Sequence, residues 1–98
     1  AFMVASKLPC TDEAKEVLRL VKAAAARGDL TIVGHAWKRM HERGAQREDL
    51  ESAVASATNA TPANDGRWRL LGGVDAEGDE LDVVVDIEWE PIRVVTIM

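Results

Sequence analysis

Toward the end of the chain apolar and polar positions alternate with period two, most clearly where Leu81, Val83, Val85, Ile87 and Trp89 interleave with Asp82, Val84, Asp86, Glu88 and Glu90. Side chains on a strand point to opposite faces in turn, so the spacing predicts a strand whose odd-numbered members, Trp89 included, face the core. Upstream the period is helical. Ala14, Val17, Leu18, Val21, Ala24 and Ala25 recur at i, i+3, i+4, i+7 and predict a first helix over Asp12–Arg27. Thr11 is its N-cap and Gly28 its stop. Leu30–Val33 reads as a short strand or extended link. A second helix is expected over His35–Arg43, ended by Gly44, and a third from Arg47 to about Ala57, burying Leu50, Ala53, Val54 and Ala57.

The stretch Thr61–Gly66 is dense in turn formers and divides a helical half from a sheet half. Beyond it three strands are expected, Arg67–Val74, Leu81–Trp89 and Ile92–Met98, joined by a hairpin loop at Asp75–Asp79 and a tight turn at Glu90-Pro91. The fold class is therefore α+β, N-terminal helices packed on a mainly antiparallel sheet, in the order α-β-α-α-β-β-β. At 98 residues the chain supports one core. Residues 12–98 are read as that single domain and residues 1–11 as an N-terminal extension.

Charge changes the picture of possible partners. The net charge of −5 argues against phosphate binding over the whole surface, but it is unevenly spread. Residues 1–49 carry nine Lys/Arg against seven Asp/Glu, and residues 50–98 carry three against ten. A molecule polarised in this way can meet an anion at one end and a basic partner at the other. Cys10 is the single cysteine, which excludes an intrachain disulfide and fits a cytoplasmic setting. Ala1–Ala5 lacks the basic start and longer apolar run of a secretion signal, and no apolar stretch has membrane-spanning length.

The densest polar constellation is His35-Ala36-Trp37-Lys38-Arg39-Met40-His41-Glu42-Arg43-Gly44. At 100° per residue His35, Arg39 and Arg43 fall within about 80° of one another, beside an Ala36/Met40 stripe expected to be buried. Such a row suits a phosphate: guanidinium forks bind its oxygens and an imidazole moves a proton. A solvated helix face paired with carboxylates is the plainer explanation of the same residues. Lys38, His41 and Glu42 point elsewhere, toward solvent. Arg67, beside the turn, is a candidate for a further anion contact, whereas Arg69 and Arg93 are expected to pair across strands with Asp82, Asp86 or Glu88. The acidic loop Asp75/Glu77/Asp79 lacks the remaining ligands of a calcium loop, and neither histidine belongs to a zinc set. No metal or cofactor is expected.

The run HAWKRMHERG, the following REDLESAV, and GRWRLLGGVDAEGDELDVVVDIE with the later VVTIM together resemble a bacterial and archaeal family of small domains of unknown function, a branch of the RelE/ParE-like toxin superfamily. The resemblance covers approximately residues 13 to 98, and His-x3-Arg-Met-x2-Arg-Gly is its most specific part. The order of elements is also similar to that of the motility quorum-sensing regulator type of mRNA interferase. The resemblance implies a RelE-like fold and a toxin of a toxin–antitoxin pair: an mRNA endoribonuclease, ribosome-linked or free, held in check by a cognate antitoxin protein. The residues that match its pattern are His35, Arg39, Arg43 and Gly66-Arg67; on the nuclease reading His35, Arg39 and Arg43 are the catalytic residues, and Arg67 and Lys38 the RNA contacts. A second reading keeps the fold without catalysis, as an interaction module that docks a basic protein partner on the acidic sheet half.

Overall fold

Thr11 accepts a hydrogen bond from the Ala14 amide at 3.0 Å, satisfying one of the orphan donors with which every helix begins. Helix α1 (Asp12–Ala26) follows, with Asp12 and Glu13 at the positive end of its dipole and Ala14, Val17, Leu18, Val21 and Ala24 buried as one stripe. These coordinates are a computed structural model, which describes residues 11–98. Most of the expected N-terminal extension, Cys10 included, lies outside the described residues.

Strand β1 (Thr31–Ile32) leads into helices α2 (Gly34–Arg43) and α3 (Arg47–Ser56). Gly44 stops α2 in the left-handed conformation, at φ 69°. Gln46 and Asp49 form a reciprocal capping box at the start of α3, the Gln46 amide donating to Asp49 Oδ2 at 2.7 Å. Four more strands complete one sheet: β2 (Asn59–Pro62), β3 (Trp68–Leu71), β4 (Val83–Asp86) and β5 (Arg93–Ile97). The sheet order is β1-β5-β4-β3-β2, antiparallel throughout except that β1 runs parallel to β5. No described helix is long and apolar enough to cross a membrane.

The three-strand meander is present as the alternation predicts, but a further strand precedes it. Asn59–Pro62 pairs with Trp68–Leu71, so the stretch read as a divider contributes strand β2 before it turns. Its composition gives little sign of this, because an edge strand needs only one row of pairing and tolerates Pro62 at its end. The pairing registers also shorten the expected strands. Leu81, Val83 and Val85 are buried as predicted and Ile87 packs against the core from a half-buried position, but β4 ends at Asp86. Trp89 is not a core residue: the chain has already turned away from the sheet, and the side chain is 49% exposed.

A bulge between Val84 and Val85 pairs them with Thr96 and Val94, leaving Val95 as the extra residue. It brings Val94 and Ile97, three apart in sequence, to the same buried face. The helices cover that face, and the other carries Arg69, whose Nε donates to Asp82 Oδ2 at 2.8 Å across the strands. Arg69 thus pairs as expected. Arg93 forms no ion pair among the described residues; its guanidinium stacks over the Trp89 ring, 3.7 Å from the centroid.

One edge of α3 holds the connection between β3 and β4. The Ser52 hydroxyl donates to the Val74 carbonyl at 3.0 Å, the Val74 amide donates to Ser56 Oγ at 2.9 Å, and the Ala76 amide donates to Asp49 Oδ1 at 3.1 Å. Gly73 allows this approach, since a Cβ there would run into the Ala53 backbone carbonyl.

Candidate functional site

Helix α2 is fixed by two small contacts and displays everything else. Ala36 and Met40 are fully buried, and α2 packs over β5. His35, Trp37, Lys38, Arg39, His41 and Arg43 are all exposed. The helix starts at Gly34 with no side-chain cap, so His35 sits in its first turn.

The three residues expected to act together do lie on one edge, with different surroundings. Arg39 Nη1 stands 3.7 Å from Glu42 Oε1, an exposed pair one turn apart that solvent screens. Arg43 Nη2 donates to the Glu80 backbone carbonyl at 3.2 Å, tying the end of α2 to the chain three residues before β4. His35 has no hydrogen bond or ion pair among the described residues. A surface imidazole followed by two guanidiniums is chemically able to take a proton and bind an anion.

Arg67 stands elsewhere. Asp65 and Gly66 both adopt left-handed backbone, at φ 62° and 75°, and turn the chain so that Arg67 enters β3 beside a cleft of about 420 Å³. The cleft is lined by Arg67, Trp68, Ile87 and Glu88 together with Glu13 from the first turn of α1. Arg67 Nε is buried and has no hydrogen-bond partner among the described residues. Every other described arginine has a hydrogen bond, an ion pair or a ring contact. A buried donor without an acceptor is costly, and a ligand that supplies one recovers that cost.

Arg43 and Arg67 do not stand together. Arg43 reaches Glu80 before β4, whereas Arg67 shares its cleft with Ile87 and Glu88 after it. At about 3.3 Å per residue the intervening chain spans roughly 20 Å.

The family model described as "Domain of unknown function (DUF4258)" matches residues 32–98, which begin in β1 and take in α2, α3 and strands β2 to β5. The chain belongs to this family. No curated protein matches it, and no solved structure does. The DUF4258 span contains His35, Lys38, Arg39, Arg43 and Arg67, while α1, which contributes Glu13 to the Arg67 cleft, lies outside it.

Sequence reasoning missed a third feature within the DUF4258 span. Trp89 Nε1 donates to Asp86 Oδ2 at 3.1 Å while Arg93 covers the ring, so an exposed indole is held from two directions. The signal available was Glu90-Pro91, a turn immediately past Trp89 that weakens the reason to count that residue as core. The acidic hairpin loop is occupied with its own turn: Asp75 Oδ1 accepts from the Glu77 and Asp79 amides at 2.9 and 3.0 Å. Among the described residues no three His, Cys, Asp or Glu are placed to hold a metal ion.

Proposed function

We propose that this domain is a toxin-like mRNA endoribonuclease of the toxin–antitoxin type, with the substrate strand laid along the exposed edge of α2. The observation that carries the reading is the display of His35, Lys38, Arg39 and Arg43 from a helix whose buried side chains are those of Ala36 and Met40. Chain cleavage by transesterification asks for little more. The ribose 2′-oxygen attacks the adjacent phosphorus, His35 takes the 2′-hydroxyl proton, the bond from phosphorus to the 5′-oxygen breaks, and water returns a proton to that leaving oxygen. Arg39 and Arg43 stabilise the charge that builds on the phosphoryl oxygens, and Lys38 holds the strand. The products are a 2′,3′-cyclic phosphate and a 5′-hydroxyl. The reaction does not use Arg67, which stands beyond the far end of β4. A cognate antitoxin would act by covering the α2 edge, on the ribosome or off it.

The test compares the intact chain with the double variant His35→Ala, Arg39→Ala on total RNA, mapping new ends by primer extension. Loss of one transition-state donor costs on the order of 3 kcal/mol, two to three powers of ten in rate, so the double variant should cut at background level. Both side chains are exposed, so its melting transition should stay cooperative and unshifted. Equal cutting by the two proteins, or none by the intact chain, rejects the nuclease.

A further inference from the structure

Four observations converge on the turn between β4 and β5, residues 87–92, at the end of the molecule away from Arg43. The first is the held indole. Large aromatics that are already ordered in the free protein lose little conformational freedom when covered, which is why they serve as anchors of interfaces.

The second is shape. Ile87 and Glu88, before Trp89, line the Arg67 cleft. Glu90, Pro91 and Ile92, after it, line a second hollow of about 190 Å³ against α1, where Leu20 is 37% exposed. The indole therefore stands between two depressions, each with an apolar wall.

The third is charge. Glu13, Glu88 and Glu90 have exposed carboxylates with no ion pair among the described residues. The arginines nearby are already engaged, Arg19 with Glu16, Arg27 with Asp29 and Arg93 with the Trp89 ring. The fourth is the Arg67 Nε donor without an acceptor.

We infer that this turn is a docking surface for a basic segment of another protein, with Trp89 as the anchor. Lysine or arginine side chains of the segment meet Glu13, Glu88 and Glu90, its apolar side chains cover the indole and the two hollows, and one of its peptide carbonyls accepts from the Arg67 guanidinium where it lines the cleft. A nucleic acid fits poorly, because its phosphates would face three carboxylates for one free guanidinium. A second copy paired about a two-fold axis would set these acids against themselves. The inference stands apart from the nuclease reading, since none of these residues belongs to the α2 edge.

The experiment titrates the ¹⁵N-labelled chain with a short peptide of mixed lysine and leucine, and in parallel with a glutamate–leucine peptide and a single-stranded RNA oligonucleotide. The indole signal of Trp89 is identified by its loss in Trp89→Phe. The lysine–leucine peptide should shift that indole and the Arg67 amide saturably. Trp89→Ala and the pair Glu88→Lys, Glu90→Lys should each weaken binding by about tenfold or more. The pair Glu77→Lys, Asp79→Lys, equal in charge change but in the other loop, should leave affinity unchanged. The inference is overturned if both charge-reversed pairs weaken binding equally, or if the peptide leaves the Trp89 indole unmoved. It is equally overturned if the RNA alone moves it, or if the indole shifts with concentration of the chain by itself. Because all of these residues are exposed or at a turn, each variant should keep a cooperative melt; for any that does not, the intact chain's indole response to the three probes decides.

Discussion

The edge of α2 and the turn after β4 are both exposed and both charged, yet they are built for different kinds of recognition. On α2 the charge sits on long side chains that reach away from a helix, held by one screened ion pair and one bond to a carbonyl. Such groups attract an anion from a distance and adapt to its course. At the turn the charge is carried by short-range carboxylates around an indole fixed by a hydrogen bond on its edge and a guanidinium on its face. That arrangement suits a partner of definite shape. Sign and stiffness differ together, so one chain presents two surfaces to two kinds of partner.

Presentation of the α2 edge depends on one core side chain. Met40 is 1% exposed and is the only long side chain with which α2 enters the core. Met40→Ala should destabilise the chain by about 2 to 5 kcal/mol in denaturant unfolding, the cost of a fully buried side chain replaced by a cavity. A change below about 1 kcal/mol would mean that α2 is held by its connections and that its edge is not rigidly displayed.

A smaller effect sharpens the other side. Asp86→Ala removes the acceptor of the Trp89 indole, an exposed hydrogen bond contributing on the order of 0.5 to 1 kcal/mol. Stability should therefore barely move, while the nanosecond fluorescence anisotropy decay of a chain with Trp37→Phe and Trp68→Phe should show a freer Trp89. An unchanged decay would assign the stiffness to Arg93 alone.

The smallest effect concerns acid. The Arg19 guanidinium, hydrogen-bonded to Glu16 at 2.9 Å, holds the Glu16 carboxyl below its ordinary value. With the folded value depressed, the pair's contribution is fully present above the unfolded value of 4.5 and is lost as pH falls through the lower folded one. Loss of that pairing also frees a guanidinium at the hollow beside Glu90, making the turn less acidic. In Glu16→Gln the melting temperature should show a slightly weaker decline over the same acid range. An identical decline would mean that the pair is too exposed to register.

What could be read from the residues follows the range of the forces involved. The caps of α1, the stop at Gly44 and the buried Ala36/Met40 stripe are decided within a turn or two of helix, so the pattern along the chain carries them. The odd-numbered face of β4 is legible for the same reason. Where β4 stops is not, because that depends on β5 lying opposite and on the bulge at Val95. Strand β2 exists only because β3 offers it an edge. The His35, Arg39 and Arg43 row was visible because helical spacing alone aligns it. The Arg67 cleft was half visible: the arginine stood out beside its turn, but Glu13 and Glu88 reach it only through packing of α1 and the β4–β5 turn.

The serines of α3 have a consequence for how the chain tolerates change. By giving Val74 both an acceptor for its amide and a donor for its carbonyl, Ser52 and Ser56 do for one residue what a neighbouring strand would do, and Asp49 extends the clamp to Ala76. The stem of the β3–β4 hairpin is thereby tied to a helix and not only to the sheet. Its tip, Glu77–Asp79, is exposed and bonded within its own turn. Foreign sequence spliced into that tip would thus hang from a fastened base, and the hairpin offers a place to attach a label or a second module on a stem that α3 holds.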